Sequence, residues 1–245
     1  MNLLVDIGNS RIKWAQQTGN RLSGHDGCAY QKKNTENVFD KLWGNFETPG
    51  KILVSNVSGN QVEEQLSQWT IRNWNIQPEF IRVTKNAFGV TNAYPDISRL
   101  GIDRWLAMIA TWKKYQSAAC IVGCGTAVTV DGLDDKGRHL GGLIMPGIMM
   151  MQQSIFQNTN LTGSGENLKV TTMANTTEQA IQSGCKLAVV GLIEYILKEL
   201  RSSYDGIRCI ISGGNAAEIN ELLKETFVHE PHIVLEGLSL MASEK

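Results

Sequence analysis

The period of apolar positions changes along the chain, and those changes divide it into two similar passes. Leu3-Leu4-Val5-Asp6-Ile7-Gly8 is a short apolar run that predicts a buried strand ending in a polar turn. Arg11 to Gln17 alternates well enough for a second strand, hairpinned to the first through Gly8-Asn9-Ser10. A third strand is predicted near Cys28 to Gln31. The period then lengthens. Thr35 to Phe46 carries Val38, Phe39, Leu42 and Trp43 at helical spacing, and Gln61 to Trp74 carries Val62, Leu66 and Trp69 on one face. Short strands are predicted at Lys51–Val57 and Glu79–Val83. Leu100 to Tyr115 predicts a helix with Trp105, Met108, Ile109 and Trp112 as its apolar stripe.

The second pass repeats that order of elements without repeating the residues. Cys120–Gly123, Ala127–Gly132 and Leu140–Met145 read as three successive strands. Helices follow at Gly147–Phe156 and Thr177–Arg201, then a strand at Ile207–Ser212, a helix at Ala216–Lys224 and a last strand at Ile233–Glu236. The two passes predict two α/β domains, residues 1–116 and 117–245, each near the usual domain size.

Composition narrows the class. Hydrophobic residues make up 42% of the 245 and charged residues 19%, a globular balance. With 23 basic against 24 acidic residues the net charge is −1, which argues against a nucleic-acid partner. No uninterrupted apolar run reaches the roughly 20 residues that span a bilayer. The N-terminus lacks a basic region before an apolar one, so no membrane partner and a cytoplasmic location are expected. Cys28, Cys120, Cys124, Cys185 and Cys209 are dispersed and read as reduced structural thiols. The four histidines show no ligand spacing and read as surface or structural residues.

The chemistry concentrates in the turns. Each pass opens with a strand that runs into a glycine-bearing turn and straight on into another strand: Asp6-Ile7-Gly8-Asn9-Ser10 first, then Gly123-Cys124-Gly125-Thr126. Such turns let backbone N–H groups approach phosphate oxygens closely. Asp6 suits a hydrated magnesium ion, held through water. Asn9, Ser10 and Lys13 suit phosphate oxygens, with Gly125 and Thr126 as opposing donors. Ser212-Gly213-Gly214-Asn215 offers a flat platform for a base or ribose. The usual rivals are missing: there is no Gly-x-x-x-x-Gly-Lys-Ser/Thr loop and no Gly-x-Gly-x-x-Gly opening a helix. Gly101-Ile102-Asp103-Arg104 places a carboxylate and a guanidinium in the first turn of an apolar helix. An ordinary helix start explains an acidic residue there. A kinase would use the same pair, Asp103 to deprotonate an acceptor hydroxyl and Arg104 to hold an acceptor carboxylate.

These motifs, in this order, resemble those of type III pantothenate kinases, members of the actin-like ATPase and sugar-kinase superfamily. The resemblance runs over essentially the whole chain. Asp6-Ile7-Gly8-Asn9-Ser10 is similar to the family's first phosphate motif, and Gly125-Thr126-Ala127-Val128-Thr129-Val130-Asp131 to its second. Tyr94-Pro95 with Gly101-Ile102-Asp103-Arg104 resembles the pantothenate-binding segment. Gly141-Gly142-Leu143-Ile144-Met145-Pro146-Gly147 and Thr177-Glu178 with Ser183-Gly184 match later segments.

The resemblance implies two actin-like (ribonuclease H-like) domains, each a mixed central sheet flanked by helices, with the active site in the cleft between them. It implies ATP-dependent phosphorylation of the pantothenate 4′-hydroxyl, the first step towards coenzyme A, by a homodimer. Asp103 would be the general base. Tyr94, Gly101, Ile102, Asp103, Arg104 and Thr177 would bind pantothenate. Asp6, Ile7, Gly8, Asn9, Ser10, Arg11, Ile12, Lys13 and Thr126 would bind ATP, with Mg2+ at Asp6. Asp6, Asp103 and Asp131 are expected to face Lys13 and Arg104 at the cleft.

One position departs from the family. Gly123 stands where relatives commonly carry an Asp for a potassium or ammonium ion. Reduced dependence on a monovalent cation is therefore expected, unless a neighbour such as Asp131 supplies the missing carboxylate. A sugar-type kinase of the same superfamily and a non-catalytic nucleotide sensor are the alternative functions.

Overall fold

The computed structural model describes residues 1–31, 35–159, 161 and 167–243. The chain forms two compact units. Met1–Lys114 is completed by residues from His232 onwards, and Tyr115–Pro231 forms the other unit. The expected division at 116/117 falls beside the first crossing. The C-terminal segment, expected in the second domain, belongs instead with the first.

The first unit is built on a five-stranded mixed sheet in the order β3-β2-β1-β4-β5. Its strands are β1 (Asn2–Ile7), β2 (Arg11–Thr18), β3 (Arg21–Ala29), β4 (Lys51–Asn56) and β5 (Glu79–Phe80). β1 pairs antiparallel with β2 and parallel with β4, so it is central and its apolar run is buried. Helices α1 (Thr35–Trp43) and α2 (Asn60–Trp74) close one core with Phe39, Trp43 and Trp69, and Trp69 Nε1 donates to Asp40 Oδ1 at 2.6 Å. A two-stranded ribbon, β6 (Asn86–Ala87) with β7 (Val90–Thr91), precedes α3 (Ile102–Tyr115).

Two elements differ from the sequence reading, and both differences have physical causes. The third strand is Arg21–Ala29 rather than Cys28–Gln31. Its residues are mostly exposed and polar, so no alternation marks them. The β2 hairpin specifies this edge strand, turning at Gly19 with φ of 58°.

Ile233–Glu236 is not a strand but the start of α7 (Ile233–Ser243). A short β-branched apolar run carries no period long enough to separate strand from helix. Tertiary context decides. α7 packs on β1, β2 and β4, buries Leu235 and Leu238, and receives Gln17 Nε2 on Ser239 Oγ at 3.0 Å.

The second unit repeats the topology of the first, in the order β10-β9-β8-β11-β12. Its strands are β8 (Ala119–Cys124), β9 (Ala127–Leu133), β10 (His139–Pro146), β11 (Arg208–Ser212) and β12 (Val228–His229). Helices α4 (Ile148–Asn158), α5 (Thr177–Arg201) and α6 (Ala216–Leu222) pack on it. α5 is the one described helix long and apolar enough, by length and composition, to cross a membrane. Here it is a core helix, burying Val189, Val190, Ile193 and Leu197 against the sheet.

All five cysteines are free. Burial pushes the Cys120 and Cys124 thiols up to about 12 and Cys209 to about 11, so they are structural rather than reactive.

Candidate active site

Strand register creates the polar row of the first unit. Across the first sheet, Asp6 is the partner of Lys13 on β2 and of Ser55 on β4. Neighbouring residues in register project to the same face, so the three form a row. The buried Ser55 hydroxyl donates to Asp6 Oδ1 at 2.9 Å. Burial, and next the Asp103 charge, push the Asp6 carboxyl up to about 6; Ser55 and Lys13 pull against that rise. Asp103 is therefore an electrostatic neighbour of Asp6, although 97 residues separate them in sequence.

The turn after β1 is braced from beneath. Gly8 N donates to Arg11 O at 3.0 Å, and Tyr30 OH donates to Gly8 O at 2.8 Å. Tyr30 also shares a hydrogen bond with the Ser58 hydroxyl. Asn9, Ser10 and Arg11 stand exposed above this base. Ile7 and Ile12 pair with each other and are fully buried, so they hold the turn from beneath rather than face a nucleotide.

Asp103 and Arg104 open α3. A Cβ at Gly101 would lie 2.6 Å from Asp103 Oδ1, so glycine is what leaves the carboxylate its place. The same oxygen accepts the Arg104 amide at 2.9 Å. Arg104 is only 6% exposed, and its guanidinium donates to Tyr94 OH at 3.2 Å while lying 5.8 Å from the Tyr94 ring centroid. Asn92, 1% exposed, holds the loop by accepting the Tyr94 amide at 2.9 Å. Ile102, between Gly101 and Asp103, is buried. Sequence reading had thus found the pair and its tyrosine but missed Ser55, Tyr30, Ser58 and Asn92. Of these only Ser55 carried a local signal, as a polar residue near the end of an apolar strand, like Asp6.

In the second unit three glycine turns meet. Gly147 N donates to Thr126 O at 3.0 Å, and Asn215 N donates to Cys124 O at 3.1 Å. A Cβ at Gly147 would lie 2.5 Å from both the Gly125 and Thr126 oxygens, and one at Gly213 (φ of 106°) would lie 2.4 Å from Cys124 O. Only glycine permits this approach. The predicted phosphate turn and base platform therefore share one backbone cluster, with Thr126 exposed on it. Thr177 is exposed in the first turn of α5.

Gly123 holds, in the second sheet, the register position that Asp6 holds in the first. Its partners are Thr129 on β9 and Ser212 on β11. A Cβ at Gly123 would lie 2.7 Å from Thr129 Oγ1, so the space for a carboxylate is already filled. Asp131 does not replace it. Contrary to the expected cluster of three aspartates, Asp131 is 2% exposed and is hydrogen-bonded to His139 Nε2 at 3.0 Å. A cavity of about 300 Å³ at the end of α5, lined by Leu197, Arg201, Lys224 and Phe227 among others, contains none of these residues.

The type III pantothenate kinase family model matches residues 2–199, about four-fifths of the chain. The chain belongs to the type III pantothenate kinase family. A relative bearing that name in Nitrosococcus oceani is 38% identical over 251 aligned positions, covering 100% of this chain and 94% of the relative. Among solved structures, a protein assigned to the Baf family of transcriptional activators from Campylobacter jejuni superposes with a TM-score of 0.63 at 20% identity, covering 99% of this chain and 98% of that one. The activator of 2-hydroxyisocaproyl-CoA dehydratase from Clostridium difficile, with bound ADPNP, gives 0.57 at 13% identity over 99% and 94%. At these identities the structural likeness establishes the actin-like ATPase fold and nothing finer. Family membership makes the protein an enzyme, a kinase that phosphorylates pantothenate with ATP on the way to coenzyme A.

Proposed function

We propose that Asp103 is the general base of this pantothenate kinase and that Arg104, with Tyr94, holds the carboxylate of pantothenate. The observation that carries the reading is the pairing of a buried, tyrosine-braced guanidinium with an adjacent carboxylate that electrostatically faces Asp6. Phosphoryl transfer asks a protein mainly for positioning and charge stabilisation. Asp103 takes the proton from the 4′-hydroxyl, and Arg104 fixes the other end of the acceptor so that the hydroxyl presents itself. Gly101 keeps Asp103 in place, and Thr177 adds a hydroxyl from the second unit.

The nucleotide reading assigns Asn9, Ser10, Arg11 and Lys13 of the first unit, and Thr126 of the second, to phosphate oxygens. Ile7, Gly8 and Ile12 belong to that set as the residues that shape and support the turn. Asp6 suits Mg2+ held through water. Its carboxyl lies above the ordinary range because burial and Asp103 oppose its charge, and a divalent cation is the partner that relieves both. Magnesium bound there would neutralise charge on the transferring phosphates.

The donor set around Gly123 does not fit a strongly held monovalent cation, because its row offers the Thr129 and Ser212 hydroxyls and no carboxylate. Turnover should therefore change less than about threefold when potassium is exchanged for a bulky inert cation, a modest effect for hydroxyl-only ligation. A tenfold or larger activation by potassium would show that another ligand has replaced the aspartate.

A homodimer is proposed from the edge strand β10 and the adjoining helix α4, where Leu143, Ile144, Met149 and Met150 are 44–64% and 45–59% exposed respectively along the strand and helix. Free, high-pKa thiols accord with a cytoplasmic location.

A coupled-ADP assay with ATP, magnesium and pantothenate tests the function directly, and a parallel screen of sugars tests the sugar-kinase alternative. In that assay Arg104→Ala should raise the pantothenate KM by roughly 10- to 150-fold, the equivalent of about 1.5–3 kcal/mol for a hydrogen bond to a charged group. The ATP KM should stay near its original value. If the ATP KM rises instead, Arg104 binds phosphate rather than the acceptor.

A further inference from the structure

Lys186 is a charged side chain placed inside the second unit. It lies midway along α5 and is 3% exposed. Burying an ammonium costs several kcal/mol unless excellent partners offset it, and an apolar residue there would serve packing as well. Lys186 has partners on two different segments. Its Nζ lies 2.5 Å from Glu218 Oε1 on α6 and donates to Asn167 Oδ1 at 2.8 Å.

Each segment leads to a proposed ligand site. Asn167 is one of the irregular residues 167–173, which lie along one face of α5. Gln182 Oε1 accepts the Leu168 amide at 2.9 Å, Ser183 Oγ accepts the Thr171 amide at 3.1 Å, and Gln179 Nε2 donates to Lys169 O at 2.9 Å. Gln179, Gln182, Ser183 and Lys186 follow the i, i+3, i+4, i+7 spacing of one helix face. This stretch has helix side chains as backbone partners where a strand would have a neighbouring strand. Four residues after Met173 the chain reaches Thr177, the hydroxyl proposed to bind pantothenate.

The other partner leads to the nucleotide. Glu218 lies one helical turn beyond Asn215, whose amide bonds Cys124 O beside Gly125 and Thr126. Lys186 is thus the node that joins the stretch running into Thr177 to the helix that follows the nucleotide platform.

We propose that Lys186 is a positioning residue that couples pantothenate binding to nucleotide binding in the second unit. The inference rests on the assignment of Thr177 and of the Gly125–Thr126 and Ser212–Asn215 turns made above. A ligand that fixes either segment holds the ammonium in place for the other segment. Each ligand then tightens the other, and linkage requires the two factors to be equal.

Isothermal titration of pantothenate, with and without a saturating non-hydrolysable ATP analogue and magnesium, measures that factor. In the unaltered protein the analogue should tighten pantothenate by roughly fivefold or more. Lys186→Met should bring the factor close to one while thermal melting shows a folded protein, and Lys186→Arg should restore part of it. Should Lys186→Met fail to fold, Asn167→Ala, which cuts one tether and spares the ion pair, should lower the factor in its place. No tightening in the unaltered protein overturns the inference, as does undiminished coupling in the folded Lys186→Met protein or, where that protein does not fold, in Asn167→Ala. Thr177→Ala separates the two levels of the argument. Unchanged pantothenate affinity in that variant removes the acceptor assignment itself, whereas weakened affinity with coupling intact in Lys186→Met removes only the coupling.

Discussion

Asp103→Asn should lower kcat by about 10²–10⁴-fold, the range for loss of a general base, with nucleotide affinity retained. Asparagine keeps the shape of the side chain and can still accept the Arg104 amide that Asp103 Oδ1 accepts at 2.9 Å. It can no longer take a proton. The loss therefore falls on the chemical step, and a single-turnover measurement at saturating ATP and pantothenate isolates it. The variant also has a signature apart from turnover. Because the Asp103 charge is one of the two causes that raise Asp6, its removal should bring the Asp6 carboxyl down from about 6 towards the ordinary carboxylate range in metal-free protein. Carbon-detected NMR of labelled aspartate reads that shift. Turnover within a factor of three of the original would remove Asp103 from the role of base.

Asp6→Asn should abolish turnover and, at neutral pH, make the metal-free protein more stable. The Asp6 carboxyl has a folded-state pKa of about 6 against an ordinary 3.8, so the folded state holds its proton more tightly than the unfolded chain. Below pH 4 both states are protonated and the shift has no effect. Between pH 4 and pH 6 the unfolded chain ionises first, and stability falls as pH rises. Above pH 6 the whole penalty is present, on the order of 3 kcal/mol for a shift of about two units. Asparagine removes that penalty and can still accept the Ser55 hydroxyl. Urea unfolding in the presence of a chelator should therefore show a gain of about 2–3 kcal/mol at pH 7.5 that shrinks to near zero at pH 4. A variant less stable than the original at pH 7.5 would mean that the Ser55 and Lys13 contacts outweigh burial. The expected gain, by contrast, shows function set against stability at one residue, whose charge the fold opposes until a cation arrives.

Much of this was legible in the linear sequence because it is written in local patterns. The glycine-bearing turns after β1 and β8, the helix opened by Asp103 and Arg104, and the ordered family motifs are each written within a few consecutive residues. Tyr30, Ser58 and Asn92 were not legible, because each acts on residues that only register and packing bring near, and Ser55 showed only as a polar residue near the end of an apolar strand. The β3 hairpin was misplaced because its exposed polar residues carry no alternation. Residues Ile233–Glu236 were misread because three consecutive apolar residues do not distinguish periods of 2 and 3.6.

By itself the sequence determined the two-pass order of strands and helices, the family, and the identity of Asp6, Asp103, Arg104 and Thr126 as candidate chemistry. Local propensity and residue type suffice for those. The tertiary structure alone decided that Asp6 sits in a row with Lys13 and Ser55 under the charge of Asp103, and that Gly123 occupies the matching row with its side-chain space filled by Thr129. It also withdrew Asp131 into a pair with His139, returned α7 to the first unit, and set Lys186 between Asn167 and Glu218. Those outcomes depend on strand register and on which faces share a core, and a chain read one residue after another carries neither.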